Sequence, residues 1–465
     1  MIQHDLSAYL SRSDYALAPE LMLTPDGVEE GMVLVVGAGR IAAIVPASEF
    51  AGDALALPGK AITPGFIDTH THIGQIFGKA LIGGEPAQIW KRVWHPMEVA
   101  MGPDEAYASA KWMCLEALRG GFTTLVSYGL NDIGKNEAVH RAVEEAGLRL
   151  VSSTGLDQFS GEVGTGHGIH DLSEIFDRIE AHVEHVAGFS RITPSVCCSS
   201  FHGNAPETLS ALSEFCATRG LILQIHANEH FPELQDCLLR FGKRPTQFLN
   251  GIGVLGPHVL LHHTTLVSQD EIGILADTRT ATSFNPLASI WKGNAVAPAL
   301  AYAQRGVRFG IGSDNTSEDA FRNLFAAEAS QRLSHAMPVA DFSSGAAWTW
   351  VDAATVGAAD AAGLVETTGS LTPGLAADFL VLDMAVPEAI PAVDFEWELI
   401  RYYNRDQIDA LVVDGQARAL GGRPVGWDAD AFVKAHTPTA ETVAQSPGIT
   451  RVHGPSMRYR PRGRR

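Results

Sequence analysis

Between about residues 63 and 313 the chain repeats one texture: a short apolar run rich in β-branched residues, a polar or glycine-rich break, then a segment with helical spacing. ITPGFIDTHTHI opens the series, and FTTLVSYG, LRLVSSTG, RITPSVCCSS, LILQIHANE, HVLLHHTTL, TATSFNP and VRFGIGSD continue it. The helical segments include PDEAYASAKWMCLEALRGG (103–121) with Gly120 and Gly121 as its stop, NEAVHRAVEEAG ending at Gly147, and PETLSALSEFCATRG (206–220). Strand-length apolar runs alternating with helices predict a parallel sheet with helical crossovers, an α/β architecture. Eight such strands in succession fit a closed (β/α)8 barrel of the TIM type better than an open sheet.

The flanks read differently. MVLVVGAGRIAAIV (32–45) predicts two short strands around a glycine-rich turn. Its GAGR piece lacks the complete G-x-G-x-x-G pattern and no helix follows, so a dinucleotide loop is set aside. After about residue 368 strands return without helices between them: TTGSLTPGLAADFLVLD (367–383) and IDALVVDGQARAL (408–420) look antiparallel. The expected organisation is a small β-domain built from both chain ends, residues 1–62 and 367–425, around a barrel at 63–366, with an extension at 426–465. No repeat of fixed period is seen.

Composition narrows the function. The 465 residues, 46% hydrophobic and 19% charged, describe an ordinary soluble globular protein of more than one domain. No apolar stretch reaches the length of roughly 18 residues that a membrane helix needs, and MIQHDLSAYL has no signal-peptide character, so a cytoplasmic protein without a membrane partner is expected. Five cysteines with no C-x-x-C pair point to reduced, buried thiols. A net charge of −19 disfavours nucleic acid. The exception is the tail, where Arg458, Arg460, Arg462, Arg464 and Arg465 crowd together; a solvated or subunit-contact arm is expected there rather than an anion-binding one.

Candidate chemistry gathers at the ends of the apolar runs. His70 and His72 alternate on one strand and so face the same way, and two imidazoles at that spacing can share a divalent cation. His226 closes LILQIHANE and Glu229 follows three residues later. His262 and His263 end the next apolar run; neighbours on a strand face oppositely, so at most one should point inward. Asp314 follows VRFGIGS, where an apolar residue would otherwise stand. Taken singly, each has an ordinary structural explanation as a satisfied core histidine or a loop carboxylate. Together, at the carboxyl ends of four barrel strands, they point to a metal site.

With those motifs in view the chain resembles the amidohydrolase superfamily, in its deaminase and chlorohydrolase branch. PGFIDTHTH, HANE, HHTTL followed by DEI, and GSDN occur in that branch's order, and LTPGLAADFLVLD and VVDGQ are similar to its returning β-strands; the likeness covers about residues 25–420. The resemblance implies that His70, His72, His226 and Asp314 hold one divalent ion (Zn, Co or Mn), that Glu229 is the general acid/base, and that His263 polarises or positions the reacting group, with Asp314 counted in the catalytic set too. It also implies a homo-oligomer, tetramer or dimer, acting on a small molecule. Three positions depart from the branch pattern. The strand RITPSVCCSS lacks the lysine that binuclear members carboxylate, Pro194 is followed by Ser195 rather than His, and Leu266 replaces a further histidine. A narrower likeness is to thiocarbamate (molinate-type) and phenylurea hydrolases. Trp90 and Trp94, four apart on one helix face, are candidate walls of an apolar pocket, with Arg92 and His95 nearby. The expected function is therefore hydrolysis of a C–N or C–S bond at the carbonyl carbon of a small neutral compound. An aromatic-heterocycle deaminase on the same site is the alternative, and a catalytically silent metal scaffold a third reading.

Overall fold

The computed structural model describes residues 2–81, 89–130, 132–159, 171–341 and 343–449, so the arginine-rich tail lies outside the described residues. Eight parallel strands form the barrel: β1 (Phe66–Thr71), β2 (Phe122–Ser127), β3 (Arg149–Gly155), β4 (Ile192–Cys198), β5 (Ile222–Ala227), β6 (Val259–His263), β7 (Ala281–Phe284) and β8 (Phe309–Ile311). They pair in chain order from β1 to β8. Each corresponds to one of the apolar runs. Burial on both faces explains why the runs are continuous rather than alternating: every residue of β1, β2, β3, β6, β7 and β8 is buried. The seam between β8 and β1 is closed just beyond the strands, where the Ser313 N–H donates to Asp68 Oδ1 (2.9 Å) and the Asp314 N–H to the His70 carbonyl (2.8 Å).

At the amino-terminal mouth, Ile67, Val126, Val151, Leu260 and Ala281 pack against Ala358 and Ala359 of the helix Val356–Ala361. Small side chains are required there: a Cβ on Gly310 would lie 2.3 Å from Thr69 Cγ2 and 2.9 Å from Ala358 Cα. The helices expected at 103–121, before Gly147 and at 206–220 are Pro103–Gly120, Ile133–Ala146 and Pro206–Arg219, each followed by a glycine in the left-handed conformation.

A second sheet of nine strands draws on both chain ends, with order 423–424, 416–420, 408–413, 379–383, 55–64, 14–24, 32–37, 40–46 and with 27–30 added on 14–24. The 32–45 hairpin is present as Met32–Gly37 and Arg40–Pro46. Of 367–383 only Phe379–Asp383 is strand. Pattern reading passed over Asp14–Thr24, where Pro19 and Glu20 break the apolar run and the pairing register shifts, and Leu55–Pro64, interrupted by Pro58 and Gly59. It also passed over the helix Ala429–Ala444, which carries Pro438 in its interior. No described helix is long and apolar enough to cross a membrane.

Barrel and β-domain are joined by a buried ion network. Arg149, the first residue of β3, places Nε 2.5 Å from Asp378 Oδ2 and Nη2 3.2 Å from Asp378 Oδ1, and also pairs with Asp414. Asp378 and Asp414 flank strands of the second sheet, and Asp378 further accepts from Thr368 Oγ1 and from the Asp414 N–H. Removing one partner strands buried charge. Arg149→Met is therefore expected to lower unfolding free energy by about 3–5 kcal/mol, read from urea denaturation; a loss under about 1 kcal/mol would mean that the network behaves like a surface pair.

Candidate active site

At the carboxyl-terminal mouth the inward phase of β1 changes. Ile67 joins the bottom layer of the barrel and Thr69 Oγ1 meets Ser283 Oγ at 2.7 Å, yet His70 also turns inward. An irregularity in the β1–β2 pairing between Asp68 and Thr71 makes this possible, since a bulge re-aims the residues that follow it. Asp68 stabilises the distortion by accepting the His70 N–H on Oδ1 at 3.0 Å. The His70 ring lies 4.8 Å from that of His72, 4.9 Å from His226 and 5.2 Å from His263 (centroid distances).

His262 and His263 do not obey simple alternation, and the expectation that at most one faces inward is corrected. His262 stacks on His70 at 3.7 Å and sets Nε2 3.1 Å from Gln224 Oε1. His263 has φ +71° and Thr264 φ +45°, so the backbone leaves strand geometry at His263 and its ring swings back over the mouth. Asp314 uses the same device. It sits in a left-handed turn with Asn315 (φ +47° and +56°), three residues beyond β8, and brings Oδ1 to 3.4 Å from both His70 Nε2 and His72 Nε2. Lys292 holds its other oxygen at 2.5 Å and its carbonyl at 2.8 Å.

The donor atoms of three overlapping trios lie within 4.8 Å of one another: His70, His72 and His226; His70, His263 and Asp314; His226, Glu229 and His263. The six side chains named from the sequence are thus brought together. Burial pushes His70 down to about 3 and holds His226, His262 and His263 below the usual imidazole range, so these rings are neutral at neutral pH. Burial alone would raise Asp314; Lys292 and the facing imidazoles outweigh it and keep the carboxylate ionised. Both ring nitrogens of His70 are sealed from solvent with no hydrogen-bond partner among the described residues. A neutral His70 carries one lone pair, and a buried lone pair without a donor is poorly satisfied by protein groups and well matched to a cation.

Glu229 and His263 are oriented by their neighbours. Asn285 Nδ2 lies 3.1 Å from His263 Nδ1, while Asn285 Oδ1 accepts from Ser283 Oγ at 2.8 Å. With the amide oriented that way His263 Nδ1 accepts, and its proton resides on Nε2, 3.5 Å from Glu229 Oε1. Trp94 is buried and faces the Lys292 ammonium at 5.5 Å, one side chain removed from Asp314; Trp90 lies against His95 at 6.0 Å in a π-type turn, Trp90–Trp94. Sequence reading missed Lys292, Asn285, Asn294, His230 and Tyr128, whose ring meets His226 edge-on at 4.5 Å. A polar residue closing an apolar run, as in SFN and VSY, was the available signal for Asn285 and Tyr128.

Comparison with known proteins places this geometry in a family. The model of the amidohydrolase family matches residues 61–418. A 5-methylthioadenosine/S-adenosylhomocysteine deaminase of Nitratidesulfovibrio vulgaris is 28% identical over 411 residues, covering 87% of this chain and 90% of its own. The fold is shared with an adenosine deaminase of Xanthomonas campestris solved with bound zinc (TM-score 0.82, 20% identity, 92% of this chain and 98% of that one). It is shared too with an atrazine chlorohydrolase of Arthrobacter aurescens complexed with zinc (TM-score 0.79, 19% identity, 92% and 100%).

The crowding of the centre is itself testable. A Cβ on Gly312 would stand 2.3 Å from Asn285 Oδ1, 2.6 Å from Ser283 Oγ and 2.9 Å from His70 Cβ. Gly312→Ala is expected to destabilise by about 1–3 kcal/mol in equilibrium denaturation; an unchanged midpoint would show that the mouth yields more easily than its packing implies.

Proposed function

We propose that this chain, which belongs to the amidohydrolase family, is a mononuclear metal-dependent hydrolase that breaks a bond from a trigonal carbon to nitrogen or sulfur. The observation that carries the reading is the convergence of His70, His72, His226 and Asp314 beside the ionisable Glu229. Three imidazoles and one carboxylate suit Zn²⁺, Co²⁺ or Mn²⁺. Strand β4 offers no lysine to bridge a second ion, which favours one. A cation held there supplies Lewis acidity and a water acidic enough to react at neutral pH.

The remaining steps belong to the protein. Glu229 takes a proton from the attacking water and returns it to the departing group. His263, with its proton on Nε2, donates to the charge that develops at the reacting carbon's substituent. Lys292 fixes Asp314 by binding the oxygen that faces away from His70 and His72. Trp94, buried with its ring facing Lys292, would back the mouth with apolar surface.

Two substrate classes fit this chemistry. Deamination of an aminated heterocycle has the wider support, because the relative described above and one of the structural neighbours are both named as deaminases. The second class, a neutral carbonyl compound such as a thiocarbamate or phenylurea, is favoured by two positions of this chain. Ser195 stands where the branch has His and is engaged by Gln224 Nε2 at 2.9 Å, and Leu266 replaces the other histidine, so donors for reading a polar ring are fewer.

Chelation should abolish turnover and Zn²⁺, Co²⁺ or Mn²⁺ should restore it. Glu229→Gln should keep the metal and lower kcat by about 10²–10⁴-fold, whereas near-normal turnover would remove Glu229 from the mechanism. Substrate class is read from kcat/KM on 5′-methylthioadenosine, adenosine, a chlorotriazine, an N,N-dialkyl thiocarbamate and a phenylurea under one metal. The deaminase reading expects ammonia release and at least a ~10-fold preference for an aminated ring. Release of amine or thiol without ammonia, with the preference reversed, replaces it with the carbonyl reading.

A further inference from the structure

Glu229 is held asymmetrically. Asn294 Nδ2 donates to its Oε1 at 3.0 Å, His230 Nε2 stands 3.0 Å from the same oxygen, and His263 Nε2 lies 3.5 Å away. The other oxygen, Oε2, has no hydrogen-bond partner among the described residues. The main chain beneath is fixed as firmly. Asn228 adopts φ +55°, Glu233 accepts the N–H groups of Asn228 (3.1 Å) and Glu229 (2.9 Å), and Thr265 Oγ1 donates to the carbonyls of Asn228 (3.0 Å) and Glu229 (2.9 Å). Main chain and carboxylate plane are therefore both constrained, and only one oxygen is left over.

We propose that His230 and Asn294 are positioning residues that saturate Oε1 of Glu229 and thereby dedicate Oε2 to carrying the proton. The proposal rests on the reading of Glu229 as the proton carrier. A carboxylate without such donors can turn either oxygen toward the departing group and can also swing off the line of proton transfer, and a misplacement of about 1 Å costs up to about 10²-fold. Hydrogen bonds to an ionised oxygen lower its basicity and leave its neighbour as the acceptor. In the forward step water loses a proton to Oε2 as its oxygen bonds to carbon. In the second step the Oε2 proton passes to the nitrogen or sulfur as its bond to carbon breaks, and Glu229 is again a carboxylate. Oε1 accepts throughout and never needs to exchange partners.

The placement of Asn294 adds a second link. Lys292, two residues earlier, binds Asp314, and Gly293 between them takes φ +76° with open space around it. One short segment after β7 thus touches both carboxylates of the site and fixes their spacing. His230 reaches Glu229 from the other side, half-exposed at the rim. The ionisable groups facing this pair are His226, His263, Glu233 and Asp314.

The test combines Asn294→Ala, His230→Leu and His230→Gln, each in the wild-type and Glu229→Gln backgrounds, assayed on whichever compound of the panel the wild type turns over. Asn294→Ala and His230→Leu should each lower kcat by about 10- to 100-fold with KM and metal content unchanged, and His230→Gln, which keeps a donor, should recover part of the loss. In the Glu229→Gln background neither should cost anything further. Without any substrate, infrared difference spectra of protein labelled with ¹³C-glutamate, wild type minus Glu229→Gln, should show the Glu229 carboxylate band moving in both single variants. No loss, a loss confined to KM, losses that add in full onto Glu229→Gln, or an unmoved carboxylate band overturns the proposal while leaving Glu229 as proton carrier. Near-normal turnover by Glu229→Gln itself overturns that reading and the proposal with it.

Discussion

The structure is organised around lone pairs that protein groups alone satisfy poorly. His70, His226, His262 and His263 crowd at the top of the barrel, with ring centroids 3.7–5.2 Å apart in the contacts His70–His262, His70–His226, His226–His262 and His70–His263. Burial keeps them neutral, so each has one nitrogen that can only accept. His262 finds Gln224 and His263 finds Asn285, but His70 finds no donor among the described residues and faces Asp314 instead. Such an arrangement is costly as a mere core and economical as a cation cage. The distortions nearby serve it: the irregular β1–β2 pairing that turns His70 inward, the left-handed backbone at His263, and the turn that delivers Asp314 while closing the barrel seam.

Rigidity is supplied from the other end. The amino-terminal mouth is plugged by alanines of the helix Val356–Ala361, and the Arg149–Asp378–Asp414 network latches β3 to the second sheet. No imidazole of the cluster belongs to either feature. The division follows the usual logic of these barrels, with stability at one face and chemistry on the loops of the other. It lets the loops after β5 and β7 carry polar side chains such as Glu229, His230 and Asn294 that the core does not need.

Much of this was legible in the chain. All eight barrel strands and the β-domain made from both ends follow from apolar runs and their spacing, because strands buried on both faces must read as continuous apolar stretches. The ligand candidates were legible for the complementary reason: His226 and Asp314 interrupt or follow such stretches where nothing polar is needed for folding. Alternation failed wherever the backbone leaves ideal geometry. It excluded one of His262 and His263, because a left-handed residue at a strand end cannot be read from a two-residue period. Lys292 and Asn294 were invisible for another reason. They lie in an irregular segment, and only the fold brings them to carboxylates 22 and 65 residues away in sequence. Asp14–Thr24 escaped because its proline and glutamate disrupt the apolar run that the other strands display.

Whether His70, His72, His226 and Asp314 hold a single divalent ion is read most directly from X-ray absorption at the metal edge of the Zn- or Co-loaded protein. A mononuclear centre on these four residues requires one ion per chain with three imidazole nitrogens and a carboxylate oxygen at bond lengths of about 2.0–2.2 Å, and loss of one nitrogen scatterer or of the ion in His226→Ala. Two ions per chain, a sulfur ligand from one of the buried cysteines, or an unchanged first shell in His226→Ala would contradict it.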